Sequence, residues 1–179
     1  QGNLPTIRAT AGNFVVSKEH IITNVGTTDF TLIGAGASVT SGSFVIGTVY
    51  TIISAGTTDF TLIGAADSVV GTTFTATGAG TGTGTAGTFA VGTVFTATGT
   101  GIVTAGSFVV GKSYTIATAG DTDFTAIGAA DSVVGTTFTA TGVGTGTGTA
   151  NQGTGTATYL GTAVATASVN AAGSVQSIT

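Results

Sequence analysis

The sequence of 179 residues contains no cysteine, methionine or tryptophan, and it has one proline, one histidine and one glutamate. Without cysteine the chain has no disulfides, no thiol chemistry and no zinc–thiolate site. Charged residues make up 6% of the chain, compared with about 25% in an ordinary soluble domain. General acid–base catalysis needs paired titratable groups. We therefore expect no enzymatic activity and no cofactor.

Positive charge is especially scarce. The basic residues are Arg8, Lys18 and Lys112, and the formal net charge is −4. Three dispersed cations cannot form the basic stripe that binds nucleic acid or the polybasic patch that binds a membrane surface. The sequence has no run of about 18 apolar residues that would span a bilayer, and the residues after Gln1 do not resemble a signal peptide. We expect neither a nucleic-acid nor a membrane partner.

Threonine and glycine dominate the chain, with 42 and 31 positions. Hydrophobic residues make up 41% of the sequence, and the mean hydropathy is +0.55. Disordered chains are typically hydrophilic and highly charged, so this composition favours a folded protein. A folded surface with so few charges tends to associate. We expect it to be covered by copies of the chain, as a homo-oligomer, or by other partners; a trimer would suit a spike or fibre.

The main signal is an internal repeat of 43 residues. Residues 44–86 and 108–150 are nearly identical, a shorter copy spans 14–39, and a fragment spans 89–106. The repeats divide the chain into an N-terminal arm (1–13), a truncated first repeat (14–43), a full repeat (44–86), a half-repeat connector (87–107), a full repeat (108–150) and a C-terminal β or assembly segment (151–179).

A shorter motif, apolar-Gly-x-x-aromatic-Thr, recurs within these units. Its aromatic positions are Tyr50, Phe74, Phe95, Tyr114 and Phe138, and His20 stands at this position in the first copy. Alternating apolar and hydroxyl side chains are typical of half-buried strands, and glycine before them indicates a turn or bulge. The sequence therefore predicts an all-β protein of tandem small modules, built as short-strand sandwich or barrel-like repeats. His20 is interpreted as a substituted aromatic core position, because the chain supplies no neighbours for a metal or catalytic role.

A second motif, Asp-Phe-Thr-x-Ile-Gly, predicts one turn of helix between strands. Its aspartate is the expected N-cap and its glycine the expected stop. The phenylalanine and isoleucine lie three residues apart, so both would fill the same small core. The residues concerned are Asp29 and Phe30, Asp59 and Phe60, and Asp123 and Phe124.

Glycine and threonine alternate strictly in residues 78–86 and 142–150. The alternation would place all threonines on one face, which favours an ordered strand whose glycine face another sheet can approach closely. A loose connector is the alternative.

Asp67 and Asp131 each precede a serine and a predicted strand. This position is typical of an Asx-turn. The alternative is a calcium site, since Asp59 and Asp67, or Asp123 and Asp131, are eight residues apart and could converge. No EF-hand or Gly-Gly-x-Gly-x-Asp spacing is present, so the turn is the preferred interpretation.

The two motifs together resemble a repeat of virion structural and fibre-like proteins of tailed bacteriophages, above all those of marine and cyanobacterial hosts. The resemblance lies in Val-Gly-x-x-Tyr/Phe-Thr, followed by Gly-x-Thr-Asp-Phe-Thr-x-Ile-Gly-Ala and Val-Gly-x-x-Phe-Thr-Ala-Thr-Gly-x-Gly-Thr-Gly-Thr-Ala, and it covers residues 14–150. It implies a structural role on a virus particle and carries no catalytic residues.

The expected function is a non-enzymatic structural protein on the exterior of a bacteriophage particle: a head decoration, a cement protein, or a fibre or tail appendage. It would act through self-association of uncharged β surfaces and through contact with other virion proteins. One alternative is an adhesin fibre that binds host glycans through exposed aromatics, for which Tyr159 and Phe89 are the candidates. The other is a cellular surface-layer or extracellular filament subunit.

Overall fold

The computed structural model describes residues 6–160, 168–169 and 175–177, and the side chains of residues 8–159. Within these residues the fold is all-β, as the sequence predicts. The strands are β1 (Thr6–Thr10), β2 (Glu19–Asn24), β3 (Ser38–Thr40), β4 (Val49–Ser54), β5 (Thr73–Thr75), β6 (Thr85–Gly87), β7 (Val94–Thr96), β8 (Ile102–Thr104), β9 (Ser113–Thr118), β10 (Thr137–Thr139), β11 (Thr149–Gln152), β12 (Thr156–Leu160), β13 (Ser168–Val169) and β14 (Val175–Ser177). Three short 3-10 helices are η1 (Phe30–Ile33), η2 (Phe60–Ile63) and η3 (Phe124–Ile127).

The strands form three antiparallel four-stranded sheets with one common design. The orders are β1-β12-β2-β7, β3-β6-β4-β5 and β8-β11-β9-β10, and β13 pairs with β14. In each large sheet the last strand lies between the first and the second. The first and last strands of a module are therefore neighbours, so the module begins and ends at the same place.

The second module (residues 37–88) and the third module (residues 102–152) are each continuous in sequence. Val39 pairs with Ala86 in the second, and Val103 pairs with Ala150 in the third. In both modules the 3-10 helix covers the sheet from the segment between the second and third strands. Each predicted full repeat thus supplies most of one module, and the strand in front of it closes the sheet.

The first module is discontinuous, because its strands come from three separated segments: residues 6–36, 89–101 and 153–160. The second module is inserted after η1, and the third is inserted after β7. The half-repeat connector supplies β7, and the C-terminal segment supplies β12, which lies between β1 and β2. Residues 6–10 of the predicted N-terminal arm form β1.

Repeated hydrogen bonds show that these segments complete the truncated first repeat. The Gly84 N–H donates to Thr58 Oγ1 at 2.8 Å in the second module, and the Gly148 N–H donates to Thr122 Oγ1 at 2.8 Å in the third. In the first module the Gly155 N–H donates to Thr28 Oγ1 at 2.7 Å, across 127 positions of sequence. All three threonines are buried. The segment around Gly155 therefore occupies the place that the Gly-Thr run fills in the full repeats.

The connector matches the full repeats in the same way. The Thr98 N–H donates to the Ile33 carbonyl at 3.0 Å, as the Thr77 N–H donates to the Ile63 carbonyl at 2.9 Å in the second module. Phe95, in the motif of the connector, pairs with His20 between β7 and β2. The first repeat is thus truncated in sequence but complete in space.

Each module has its own aromatic core beneath its sheet. The rings are Phe44, Tyr50, Phe60 and Phe74 in the second module; Phe108, Tyr114, Phe124 and Phe138 in the third; and Phe14, His20, Phe30, Phe89 and Phe95 in the first. Ring centroids lie 4.9–6.2 Å apart in tilted, stacked and edge-to-face pairs. These geometries are favourable for aromatic pairs.

The Gly-Thr runs are ordered, but the prediction that they form strands throughout is wrong. In residues 78–86 only the last two lie in β6, and the rest is a loop. Gly80 and Gly82 have φ angles of 76° and 103°, which lie in the left-handed region that glycine favours. These left-handed glycines turn the chain, so it cannot extend as a flat strand. The loop is held by side chains, since the Gly84 and Thr83 N–H groups donate to Thr58 and Thr57 hydroxyls.

The sequence predicts a β or assembly segment at residues 151–179. Residues 153–160 close the first module, while residues 161–167, 170–174 and 178–179 lie outside the described part of the chain, as do residues 1–5.

Ending the chain at Gln152 is expected to unfold the first module alone, because its sheet loses β12 from its interior while the other two sheets keep all their strands. Hydrogen exchange should show the Ile22 and Phe95 amides losing protection, with Ile52 and Ile116 still protected. A chain ending at Leu160 is the control and should protect all four. Unchanged protection of Ile22 in the shorter chain would contradict the discontinuous module.

Candidate functional site

The strongest recurring site is the Asp-capped turn of each module. Asp59 Oδ1 accepts the Thr61 N–H at 3.0 Å and the Thr61 hydroxyl at 2.6 Å, which satisfies a donor at the start of η2. Gly64 ends the helix with a φ of 110°. Asp29 and Asp123 cap η1 and η3 in the same way. The predicted helical turn, with its N-cap and glycine stop, is confirmed in all three modules.

The glycine that ends each turn is required for two reasons. Its positive φ is a conformation that other residues rarely adopt. In addition, a Cβ built on Gly64 would lie 2.4 Å from the Thr75 carbonyl oxygen, and Gly34 and Gly128 have the same close neighbour in their own modules. The turn is thereby pressed against the third strand of its sheet.

Phe60, Phe124 and Phe30 are fully buried beneath their turns. The Phe60 ring lies 5.5 Å from Phe74 in an edge-to-face arrangement and 5.8 Å from Phe44. Ile63 is buried beside it. The repeated phenylalanine and isoleucine therefore fill one core, as the sequence predicts.

His20 occupies the position of the core tyrosines and reproduces their hydrogen bond. The Tyr50 hydroxyl accepts the Val45 N–H at 3.0 Å, and Tyr114 does the same with Val109 at 2.9 Å. In the first module the Val15 N–H donates to His20 Nε2 at 3.3 Å. His20 Nδ1 lies 2.8 Å from the Lys18 carbonyl, so the hydrogen bonds assign the proton to Nδ1.

His20 is 0% exposed and stacks on Phe95, with Tyr159 on another side at 5.1 Å. Both ring nitrogens are engaged by the backbone, which supports the predicted interpretation as a substituted aromatic core position. At the equivalent position of the third module, burial raises the pKa of Tyr114 despite the hydrogen bond from Val109.

Asp67 and Asp131 form the predicted Asx-turns. Asp67 Oδ1 accepts the Val69 N–H at 3.0 Å and the Thr72 hydroxyl. Asp131 accepts the corresponding groups of Val133 and Thr136. The threonine hydroxyl, and next the backbone N–H, lower the pKa of each carboxyl.

The calcium alternative joined Asp59 with Asp67 and Asp123 with Asp131. Each of these carboxylates is bonded to its own turn. Among residues 6–160 no group of three or more His, Asp or Glu side chains is placed to hold a metal ion. The four carboxylates therefore belong to four separate turns and do not form the paired sites of the calcium alternative.

Asp121 is a feature of the third module alone, since Thr27 and Thr57 stand at its position in the other two. Its Oδ1 accepts the Thr147 N–H at 2.6 Å and the Thr147 hydroxyl at 2.9 Å, and these bonds lower its pKa. The pKa of Asp123, two residues on, is lowered by the Thr125 hydroxyl and N–H. The Gly-Thr loop of this module thus lies beside two exposed carboxylates.

A groove lies beside the capping aspartate in the second and third modules. Its volume is about 470 Å³ in the second and about 280 Å³ in the third. Both grooves run between the 3-10 helix and the Gly-Thr loop, and their shared positions are Asp59/Asp123, Leu62/Ala126, Ile63/Ile127, Ala79/Val143, Gly80/Gly144 and Thr81/Thr145. These grooves do not follow from the sequence motifs, because Leu62, which is 78% exposed at the tip of η2, stands at the variable position of Asp-Phe-Thr-x-Ile-Gly.

The corresponding aspartate of the first module makes an ion pair. Lys112 Nζ, from the third module, lies 3.2 Å from Asp29 Oδ2, and the two side chains are 14% and 7% exposed. The third module also supplies Gln152, whose side-chain oxygen accepts the Asp29 N–H at 2.7 Å. Asp29 therefore holds the third module against the first.

The glycan-binding alternative needs exposed aromatic rings. Phe89 is 1% exposed, because it packs on Phe30 in the core of the first module. Tyr159 is partly buried against His20. Phe89 therefore offers no open face on which a sugar would stack, and the Tyr159 ring is exposed only in part.

Among the described residues no helix is long and apolar enough to cross a membrane. Comparison of the chain with family models, with curated proteins and with solved structures finds no match.

Substituting Phe60 or Phe124 by alanine is expected to destabilise the protein by about 3–5 kcal/mol, because each fills a core that cannot collapse around the cavity. Denaturant unfolding measures the change. Leu62→Ala, at the exposed neighbour in the same helix, is the control and should cost less than about 0.5 kcal/mol. Equal effects of Phe60→Ala and Leu62→Ala would contradict the buried turn.

Acid should weaken the turns held by Asp67, Asp121, Asp123 and Asp131. Their pKa values are lowered by folding, so their contribution is complete above the ordinary value of about 3.9 and is lost as the pH falls through the lowered value. Carboxyl titration by NMR should give midpoints below about 3.9 for all four. Asp67→Asn keeps the turn acceptor without titrating and should make that turn less acid-sensitive; midpoints at or above the ordinary value would contradict the assignment.

Proposed function

We propose that the protein is a non-enzymatic structural component of the exterior of a bacteriophage particle: a head decoration, a cement protein, or a fibre or tail appendage. The observation that carries the proposal is the repeated module. The described residues of a single chain form three copies of one fold, and every one of their capping carboxylates is used to hold its own turn. This construction adds folded mass and surface area, and it supports a structural function over a catalytic one.

The exposed surface supports a role in assembly. Large aliphatic side chains are exposed at equivalent positions of the modules, among them Val45 and Ile46 in the second and Val109 and Val110 in the third. Single exposed aliphatics are ordinary, but here they lie on a chain in which 6% of residues are charged. A surface of this kind favours association over free solution.

The sheet edges limit how that association takes place. Five of the six edge strands of the large sheets, β3, β5, β7, β8 and β10, are three residues long, and the sixth, β1, is five residues long. Short edge strands discourage uncontrolled strand addition. In the second and third modules, contact through side chains of the turns and grooves is therefore favoured over extension of the sheets.

The resemblance to virion structural and fibre-like proteins supports the phage setting. The motifs that carry it are the ones that build the modules: Asp-Phe-Thr-x-Ile-Gly forms the capped turn, and apolar-Gly-x-x-aromatic-Thr forms the turn and strand that bury a ring. The motifs that carry the resemblance therefore build the fold of the modules, which fits a structural role on a particle.

Gold-labelled antibody raised against the purified chain tests the proposal on phage particles from the host culture that carries its gene. We expect label on the particle exterior in electron micrographs, and none with antibody that has been pre-adsorbed on the protein. Label confined to host cell surfaces, or to no particle fraction, would contradict the proposal.

A further inference from the structure

Both lysines of the chain stand at the same position of the repeat. Lys18 and Lys112 each end a turn in which the lysine N–H donates to the carbonyl three residues earlier, Val15 or Val109, at 3.1 Å. Thr48 has this position in the second module. The first module adopts the turn even though Ser17, with a φ of 69°, replaces the glycine of the other modules. The turn that presents Lys18 is thus the same as the one that presents Lys112.

The Lys112 turn shows what such a turn binds. Lys112 reaches the free oxygen, Oδ2, of the capping Asp29, while Oδ1 accepts the Thr31 N–H at 3.0 Å. Gly111 and Lys112 also border a cavity of about 210 Å³ with Thr27 of the first module. Ile53 and Val70 of the second module line the same cavity, so the turn is seated where all three modules meet.

Two capping aspartates keep the corresponding oxygen available. Oδ1 of Asp59 and of Asp123 accepts the turn N–H, and Oδ2 of each makes no hydrogen bond within the described chain. Both side chains are exposed, and each borders a groove that no other module covers. The third-module site carries the larger negative charge, since Asp121 lies two residues before Asp123 whereas Thr57 has that position in the second module.

The Lys18 turn is the matching donor. Lys18 is exposed and makes no ion pair within the described chain, and Val16 beside it is exposed as Val110 is in the third module. We propose that the Lys18 turn of one copy docks on the Asp123 groove of a second copy, repeating between chains the contact that Lys112 makes with Asp29 within one chain. This inference deepens the proposed function, because it specifies the surface of self-association.

The proposed contact joins two different surfaces, one on the first module and one on the third. Such a heterologous contact leaves a free Lys18 turn at one end of a pair and a free Asp123 groove at the other, so association continues into a ring or an open filament. An isolated exposed ion pair contributes little. The contact therefore also needs apolar burial, for which the groove offers Ile127 and Val143, and the charges select the register.

Sedimentation velocity over a concentration series tests the proposal. We expect wild-type protein to associate, and Lys18→Gln and Asp123→Asn each to raise the dissociation constant by about two- to fivefold. Asparagine keeps the N-cap, so Asp123→Asn removes the charge without removing the turn. The matched controls are Arg8→Gln, which removes another exposed cation, and Asp59→Asn, which removes the other available cap; both should associate as wild type.

Three results would overturn the proposal: a wild-type monomer throughout the series, unchanged association in Lys18→Gln, or equal weakening by the two controls. Circular dichroism of each variant establishes that it is folded. The proposed function is judged separately by antibody labelling of particles. Labelled particles together with unaffected variants would leave the virion role intact and exclude this surface.

Discussion

The pairing of the first strand of each module with its last is the constraint on which the structure depends. It places the two ends of a module side by side, so that a whole module can be inserted where a loop would otherwise connect two strands. The first module carries two such insertions, and Ala37 and Thr88 join the ends of one by mutual hydrogen bonds. The second and third modules are therefore inserted within the first, although the tandem repeats of the sequence suggest modules that follow one another along the chain.

Each module is too small to rely on apolar burial alone. Its stability depends on a turn fixed at both ends, with aspartate and glycine as caps, over a phenylalanine that packs on two other rings, one of them edge-on. Threonine serves the same purpose, because its methyl group packs while its hydroxyl accepts or donates to the backbone, as Thr122 does for Gly148. The abundance of threonine and glycine is therefore a structural requirement of the fold.

The sequence predicts the modules well where the information is local. The capped turn, the buried aromatic positions and the place of His20 follow from motifs of six to eight residues whose chemistry permits few conformations. The prediction for the Gly-Thr runs is wrong. The alternation of glycine and threonine suggests a strand, and only the positive φ angles of Gly80 and Gly82 show that the chain turns there. The partner of β2 was missed because β12 lies over 130 positions away and carries no aromatic motif. The Lys112–Asp29 pair likewise joins modules that no sequence pattern connects.

The claim that three distant segments build the first module is tested most directly by nuclear Overhauser contacts between backbone protons. The account predicts contacts of Ile21 with both Val94 and Thr158, its partners on the two sides of β2. Contacts of Ile21 that are confined to residues 6–40, with none to either distant segment, would contradict it.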